Sequence, residues 1–391
     1  MSAALDLDAM IRESIAQTGC SDFGGDDLLE AFRVLVPSLN AEAALTPAGV
    51  AGRHAGMVRA LSNRLRLQRY LLQHPQIRDE PIAGPVVIVG LPRSGTTKLH
   101  RMIAADPLMQ KLLLWKILSP VPAAAPSGAP PPSGALDPRI AVGESFARML
   151  REQQPGVYAA HPMAACEPDE DVFALEITGR VYINCSAVRA PTYRKWLDAQ
   201  SFDGVYRWLR LFLQVWQFQD GARGRPWVLK APQHLGFLPD LFRHFPQATI
   251  VHCHRSPEVT VASYAAMITS ARQSVSNEAD AAEVGQYGLS FWSDLTNRYL
   301  RDRALYEGAH AFVDLSYRDI LGQGLDSVAR CYAAAGLELT PQAREAMAAW
   351  ERDNAQHKHG RHAYSLAAAG LTESAIAREF KAYMARFGPL T

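Results

Sequence analysis

The segment PVVIVGLPRSGTTKLHRMI, residues 85–103, restricts the fold more than any other part of the chain. Val86 to Val89 form a short β-branched run between Pro85 and Gly90, the pattern of a fully buried strand. LPRSG is a turn, and Leu99, Met102 and Ile103 then recur at helical spacing. A buried strand feeding a helix through a glycine turn belongs to a parallel sheet covered by helices.

The turn follows the phosphate-loop spacing G-x-x-x-x-G-K-[ST] from Gly90 to Thr97, with one departure. Thr96 stands where the lysine belongs, Arg93 supplies a cation inside the turn, and Lys98 comes two positions late. A glycine turn opening a helix aims backbone N–H groups and the helix dipole at one point, which holds an anion. Ser94, Thr96 and Thr97 add hydroxyls, and Gly95 lets the chain enter the helix. The other reading of these residues is an ordinary strand–helix turn that needs glycine. A nucleoside-triphosphate hydrolase or kinase requires the missing lysine and an aspartate at a neighbouring strand end. The next strongly apolar run, ATIVHC at 248–253, continues into HRSP without one.

Further strands are expected at 227–230 (WVLK) and 309–315 (AHAFVDL), each separated from the next by helical pattern. The fold class is α/β: a P-loop-type parallel sheet flanked by helices, with a helical N-terminal segment. Residues 1–80 form that segment, packed on the core, and residues 81–391 the α/β domain. Within it, residues 119–138 are rich in Pro, Ala, Ser and Gly and read as a mobile loop. Residues 140–218 read as mainly helical, and TESAIAREFKAYMARFG near the end as one amphipathic helix.

With 391 residues and a net charge of +1, no global field draws the chain to nucleic acid or an anionic membrane. No apolar run is long enough to span a bilayer, and the N-terminus lacks a signal-peptide core. Five scattered cysteines without a C-x-x-C pair point to a reducing, cytoplasmic setting rather than to disulfides or zinc.

Two motifs together resemble the sulfotransferases that use 3′-phosphoadenosine 5′-phosphosulfate (PAPS). GLPRSGTTKLH resembles their 5′-phosphosulfate loop, and VHCHRSPEVTVASY, residues 251–264, their 3′-phosphate motif, an arginine followed eight residues later by a serine. Arg255 and Ser263 match those positions. TGCSDFG, WVLKAPQHL and GRHAYSLAAAGLT are similar to segments of the larger bacterial-type members. By itself Arg255 reads equally as a surface ion-pair residue and Ser263 as a small helix-packing residue. The resemblance implies a metal-independent reaction in which Arg93 stabilises the leaving phosphate. It also implies that Arg361, in HKHGRH, contacts the 3′-phosphate, although a solvated loop explains that segment as well.

The acceptor hydroxyl must lose a proton, so a base is required. Lys230 and His234 resemble the family's sulfuryl-contacting lysine and basic histidine, at a spacing two residues longer. A histidine capping a helix start is the alternative reading. CEPDEDVF, residues 166–173, offers Glu170 as a second candidate; Glu167, Glu170 and Asp171 would share one helix face. Acids around Pro168 equally suit a helix N-terminus. His161 in AAHPMAA reads either as lining the acceptor pocket or as an exposed loop residue.

The expected function is therefore transfer of a sulfuryl group from PAPS to a hydroxyl, or an amine, of a small or lipid-like acceptor. A P-loop ATP-dependent kinase and a non-catalytic nucleotide-binding protein are the alternatives. The sequence does not set the oligomeric state.

Overall fold

The computed structural model describes residues 4–122, 136–354 and 365–391. Most of the 119–138 loop, and Arg361, lie outside the described residues. The chain divides into two compact units: residues 1–80, 112–221 and 274–277 form the first, and residues 81–111, 222–273 and 278–391 the second.

The first unit is helical. It opens with α1 (Leu7–Thr18), α2 (Asp27–Glu42) and α3 (Pro47–Gln73), and continues with shorter helices and the long helix Asp203–Asp220. Local signals set the ends. Asp6 accepts the N–H of Ala9 at the start of α1, and Thr46 accepts that of Gly49 ahead of Pro47 at the start of α3. Arg64 on α3 is fully buried. Its guanidinium donates to the carbonyls of Phe23 (2.7 Å) and Ile177 (2.9 Å), pairs with Asp27 at 2.6 Å and lies 3.6 Å from the Trp208 ring centroid. The TGCSDFG segment thus forms a turn fastened by a buried arginine whose donors are spent on carbonyls, as burial of a charge demands.

The second unit contains the sheet. All four expected strands form: β1 (Val86–Gly90), β2 (Val228–Lys230), β3 (Thr249–His254) and β4 (Phe312–Ser316). They lie parallel in the order β2-β1-β3-β4, with Ile88 opposite Lys230 and Val251, and Gly90 opposite Cys253. β4 starts three residues later than expected. Val86, Ile88, Val228, Val251, Val313 and Leu315 pack with Leu99, Met102 and Ile103 of α4 (Thr96–Ala104) in one core on one face of the sheet. From β1 the chain moves to β2 on one side; from β3 it moves to β4 on the other. The C-terminal ends of β1 and β3 therefore bound the crevice where an open α/β sheet binds its ligand.

The last helix differs from expectation. It breaks at Phe380 into Glu373–Glu379 and Lys381–Phe387. Phe380, Tyr383 and Phe387 are all buried, with the Phe387 ring 4.3 Å from that of His254.

Candidate active site

β1 ends at Gly90 and α4 begins at Thr96, so Leu91–Gly95 forms the turn. Gly90 has φ 150° and a Cβ there would lie 2.5 Å from the Cys253 carbonyl oxygen; Gly95 has φ 89°. Both positions require glycine. Arg93 adopts φ 69° without being glycine, a conformation that costs about 1–3 kcal/mol and persists only when its surroundings impose it. Two contacts impose it here. The Ser94 hydroxyl donates to Leu91 O at 2.6 Å, and the Arg255 guanidinium donates to Arg93 O at 2.7 Å. The left-handed residue followed by a helix start forms a concave cluster of N–H groups, suited to an anion.

Lys230 and Arg255 meet the turn at this sheet edge. Lys230, at the end of β2 and buried, places Nζ 3.4 Å from Thr97 Oγ1. Arg255 follows β3 directly and stacks on Tyr317, 3.9 Å from the ring centroid. Thr96 is buried in the first turn of α4. His234 lies in the short 3-10 helix Pro232–Gly236 after β2 and is buried, as is Ser263 on the helix Pro257–Gln273. Ser94 departs from the expectation of a donor facing the ligand: it is fully buried and its hydroxyl braces the turn. Lys98 points elsewhere, with Nζ 2.6 Å from Glu351 and 3.1 Å from Leu321 O.

Glu170 belongs to the first unit, and the expected helix face does not form. Glu167 through Glu170 are non-helical, and only Asp171 opens a 3-10 helix, Asp171–Thr178. Pro168 disfavours helix in the residue before it. The segment is also pinned to residues 112–114, through Leu114 N to Glu167 O and Asp169 N to Leu112 O. His161 is partly buried there, with Nε2 2.8 Å from Asp169 Oδ1 and Nδ1 4.0 Å from Glu170. The same unit holds a cavity of about 420 Å³ walled by Trp115 and Trp216. Its lining charges are paired, Arg139 with Asp137 and Asp220 with the neighbouring Lys116.

Tyr317 was not singled out by sequence reasoning. It follows β4 immediately, at the ligand end of a strand, and covers both Gly95 and the Arg255 guanidinium. Its place just after a strand is the signal that could have revealed it. Among the described residues no helix is long and apolar enough to cross a membrane.

The sulfotransferase family model matches residues 85–341, from the start of β1 to beyond β4. No curated protein matches the sequence. Two crystal structures are similar over almost the entire chain. Sulfotransferase STF1 from Mycobacterium tuberculosis H37Rv is 30% identical, with a TM-score of 0.83 and coverage of 98% of this chain and 100% of that one. Sulfotransferase STF9 from Mycobacterium avium is 25% identical, with a TM-score of 0.86 and coverage of 99% and 98%. The P-loop-type fold and the family match agree: this chain belongs to the sulfotransferase family and is an enzyme of that class.

Proposed function

We propose that the enzyme transfers a sulfuryl group from PAPS to a hydroxyl, or an amine, of a small or lipid-like acceptor and releases 3′-phosphoadenosine 5′-phosphate. The observation that carries this reading is the contact of Arg255 with the carbonyl of Arg93, which joins the two predicted anion sites at one crevice. A donor with separated 5′ and 3′ anionic groups suits such a pair. The use of Lys98 by Glu351, and a β3 that ends in His254 rather than aspartate, speak against the magnesium-ATP kinase reading.

In this reading the N–H cluster at Gly95, Thr96 and Thr97 holds the 5′-phosphosulfate. Ser94 contributes through the turn that it braces. Arg93 stabilises charge on the leaving phosphate oxygen, an electrostatic role. Lys230 is placed beside Thr97 to contact the sulfuryl oxygens. Arg255 and Ser263 hold the 3′-phosphate, an arginine fork being well matched to that group. The acceptor oxygen attacks sulfur, the sulfur–oxygen bond to the phosphate breaks, and a base takes the acceptor proton.

His234 is the base favoured here, because it follows β2, whose Lys230 already meets the loop. Glu170 is the second candidate. No metal takes part in the scheme. A cytoplasmic location fits the five free cysteines.

The test is release of 3′-phosphoadenosine 5′-phosphate from PAPS in the presence of phenol, sterol and sugar acceptors, with and without chelator. Acceptor-dependent release that tolerates chelator is expected. Binding of magnesium-ATP with no binding of 3′-phosphoadenosine 5′-phosphate would overturn the proposal. His234→Asn and Glu170→Gln assign the base: the true one loses turnover while keeping donor affinity.

A further inference from the structure

Two arginines share one side of α3. Arg53 and Arg64 are 11 residues apart, close to three helical turns. Gly49, Met57 and Ala60 lie on the same side, and all three are buried, as is Arg64. The two guanidinium groups are treated differently. Arg64 spends its donors on Phe23, Ile177 and Asp27. Arg53 makes no hydrogen bond and no ion pair among the described residues. The one opposite charge acting on it is that of Glu176, in the 3-10 helix Asp171–Thr178. That carboxylate already accepts from Arg59 at 2.9 Å. All of these residues belong to the first unit.

A guanidinium carries five donors and keeps its charge in a protein. Withdrawing one from water without a partner is costly. Arg53 is partly buried, and burial pushes its guanidinium below the ordinary arginine range, against the pull of Glu176. A structural clamp would spend its donors, as Arg64 does on the same side of the helix. An arginine that merely solvates the helix would lie on the exposed side, with Ala51, Gly52 and Ala55.

The charge count narrows what fits. Arg53, Arg59 and Glu176 together leave one positive charge uncompensated. A singly charged oxyanion balances it, whereas a phosphate dianion overshoots. A carboxylate also matches the planar fork with two parallel hydrogen bonds. Space is left beside the side chain: Gly56, three residues on, is partly buried, and a Cβ there would meet nothing within 4 Å.

We propose that Arg53 is a specificity residue that pairs with a carboxylate carried by the acceptor, so that the preferred acceptors are hydroxy acids rather than neutral alcohols. The inference rests on the PAPS reading above and narrows its acceptor class.

Wild type, Arg53→Met and Arg64→Met are compared. Turnover with PAPS is measured on 4-hydroxybenzoate, on 12-hydroxydodecanoate and on the amide of each. Melting temperatures are recorded alone, with each acid and with acetate. Wild type should use at least one acid about tenfold or more better than its amide in kcat/KM, the worth of one charge-assisted pair. Arg53→Met should lose that preference, through KM rather than kcat, and should lose the rise in melting temperature that the acid gives wild type. Without ligand, Arg53→Met should melt at or above wild type, since an unpaired charge is gone, and Arg64→Met well below it. An acid preference absent from wild type, or surviving in Arg53→Met, overturns the inference. So does an Arg53→Met that melts as far below wild type as Arg64→Met, which would make the arginine structural. Acetate that raises the melting temperature as much as the acids would mean a bare anion site and overturn the acceptor assignment. If no acceptor turns over while the acids still stabilise wild type and not Arg53→Met, the PAPS reading fails and the carboxylate site is supported.

Discussion

The guanidinium of Arg255 donates to the backbone carbonyl of Arg93 at 2.7 Å, across 162 residues of sequence. One residue directly follows β3 and the other lies in the turn after β1, and the two strands are neighbours in the sheet. Arg255 thus does two things: it presents a cation at the crevice and it helps hold Arg93 in a left-handed conformation.

Arg255→Lys separates these roles. Lysine keeps the charge but lacks the planar fork needed to hold a carbonyl and a phosphate together. Affinity for 3′-phosphoadenosine 5′-phosphate is expected to fall about 10- to 100-fold, the worth of one or two charge-assisted hydrogen bonds. Arg255→Ala should lose at least as much. Titration of the purified variants measures it, and wild-type affinity in Arg255→Lys would show that the fork is not used.

Gly90→Ala should be among the most damaging single-methyl changes in the chain. The new Cβ would meet the Cys253 carbonyl oxygen at 2.5 Å and Ser94 Oγ at 2.8 Å, with backbone already at φ 150°. The first contact is with backbone of the adjacent strand, which has little freedom to move. A loss of about 3 kcal/mol or more is expected from strain and displaced packing. Chemical denaturation would show the loss, and a midpoint within error of wild type would contradict it.

The parts of the site that were legible carry their signals locally. Gly90 and Gly95 announce a turn because each conformation excludes a side chain, and β1, β2 and β3 are buried at every position, whereas β4 leaves Phe312 and Asp314 only partly buried. The misread acidic cluster depends on partners distant in sequence. Glu167 and Asp169 are tied by backbone hydrogen bonds to Leu114 and Leu112, and no spacing rule within 166–173 reveals that. Ser94 was legible as a loop residue but not as a buried brace, since the direction of one hydroxyl depends on the final turn geometry. Tyr383 and His254 meet across 129 residues, and the terminal helix read as amphipathic without showing what its apolar face would cover.

Lys98 supplies a negative control within the loop region. Its ammonium pairs with Glu351 at 2.6 Å, and both side chains are partly exposed, so the pair contributes about 1 kcal/mol or less. Lys98→Met is expected to leave affinity for 3′-phosphoadenosine 5′-phosphate within about twofold of wild type, with a stability change on that small scale. A phosphate-gripping lysine would instead lose most of its ligand affinity on this change. The same titration and a melting curve distinguish the two.

The buried histidines on β3 should make the fold sensitive to acid. His252 is packed among rings, 3.9 Å from His254 and 4.6 Å from Tyr299 between centroids. Neither of its ring nitrogens has a hydrogen-bond partner among the described residues. Burial, reinforced by the neighbouring His254, holds its protonation well below the ordinary histidine range. Burial also lowers that of His254, against the opposing pull of Asp314. Burial alone would raise the Asp314 carboxyl, but hydrogen bonds from His254 and Arg303 outweigh it and hold it low. Arg386 and Tyr383 on the terminal helix also face this group. As pH falls through about 6.5, the unfolded chain takes up protons at these histidines before the folded chain does, so acid favours unfolding. The full contribution is present above that pH and declines below it, by up to about 1.4 kcal/mol per histidine per pH unit. Asp314 adds to the loss as pH falls further, below about 4. Melting temperature is expected to be flat from pH 8 to 7 and to fall between 6.5 and 5. His252→Phe should make that fall shallower, because one acid-labile group is gone. Parallel pH profiles of the variant and the wild type would show that His252 is not one of the groups responsible.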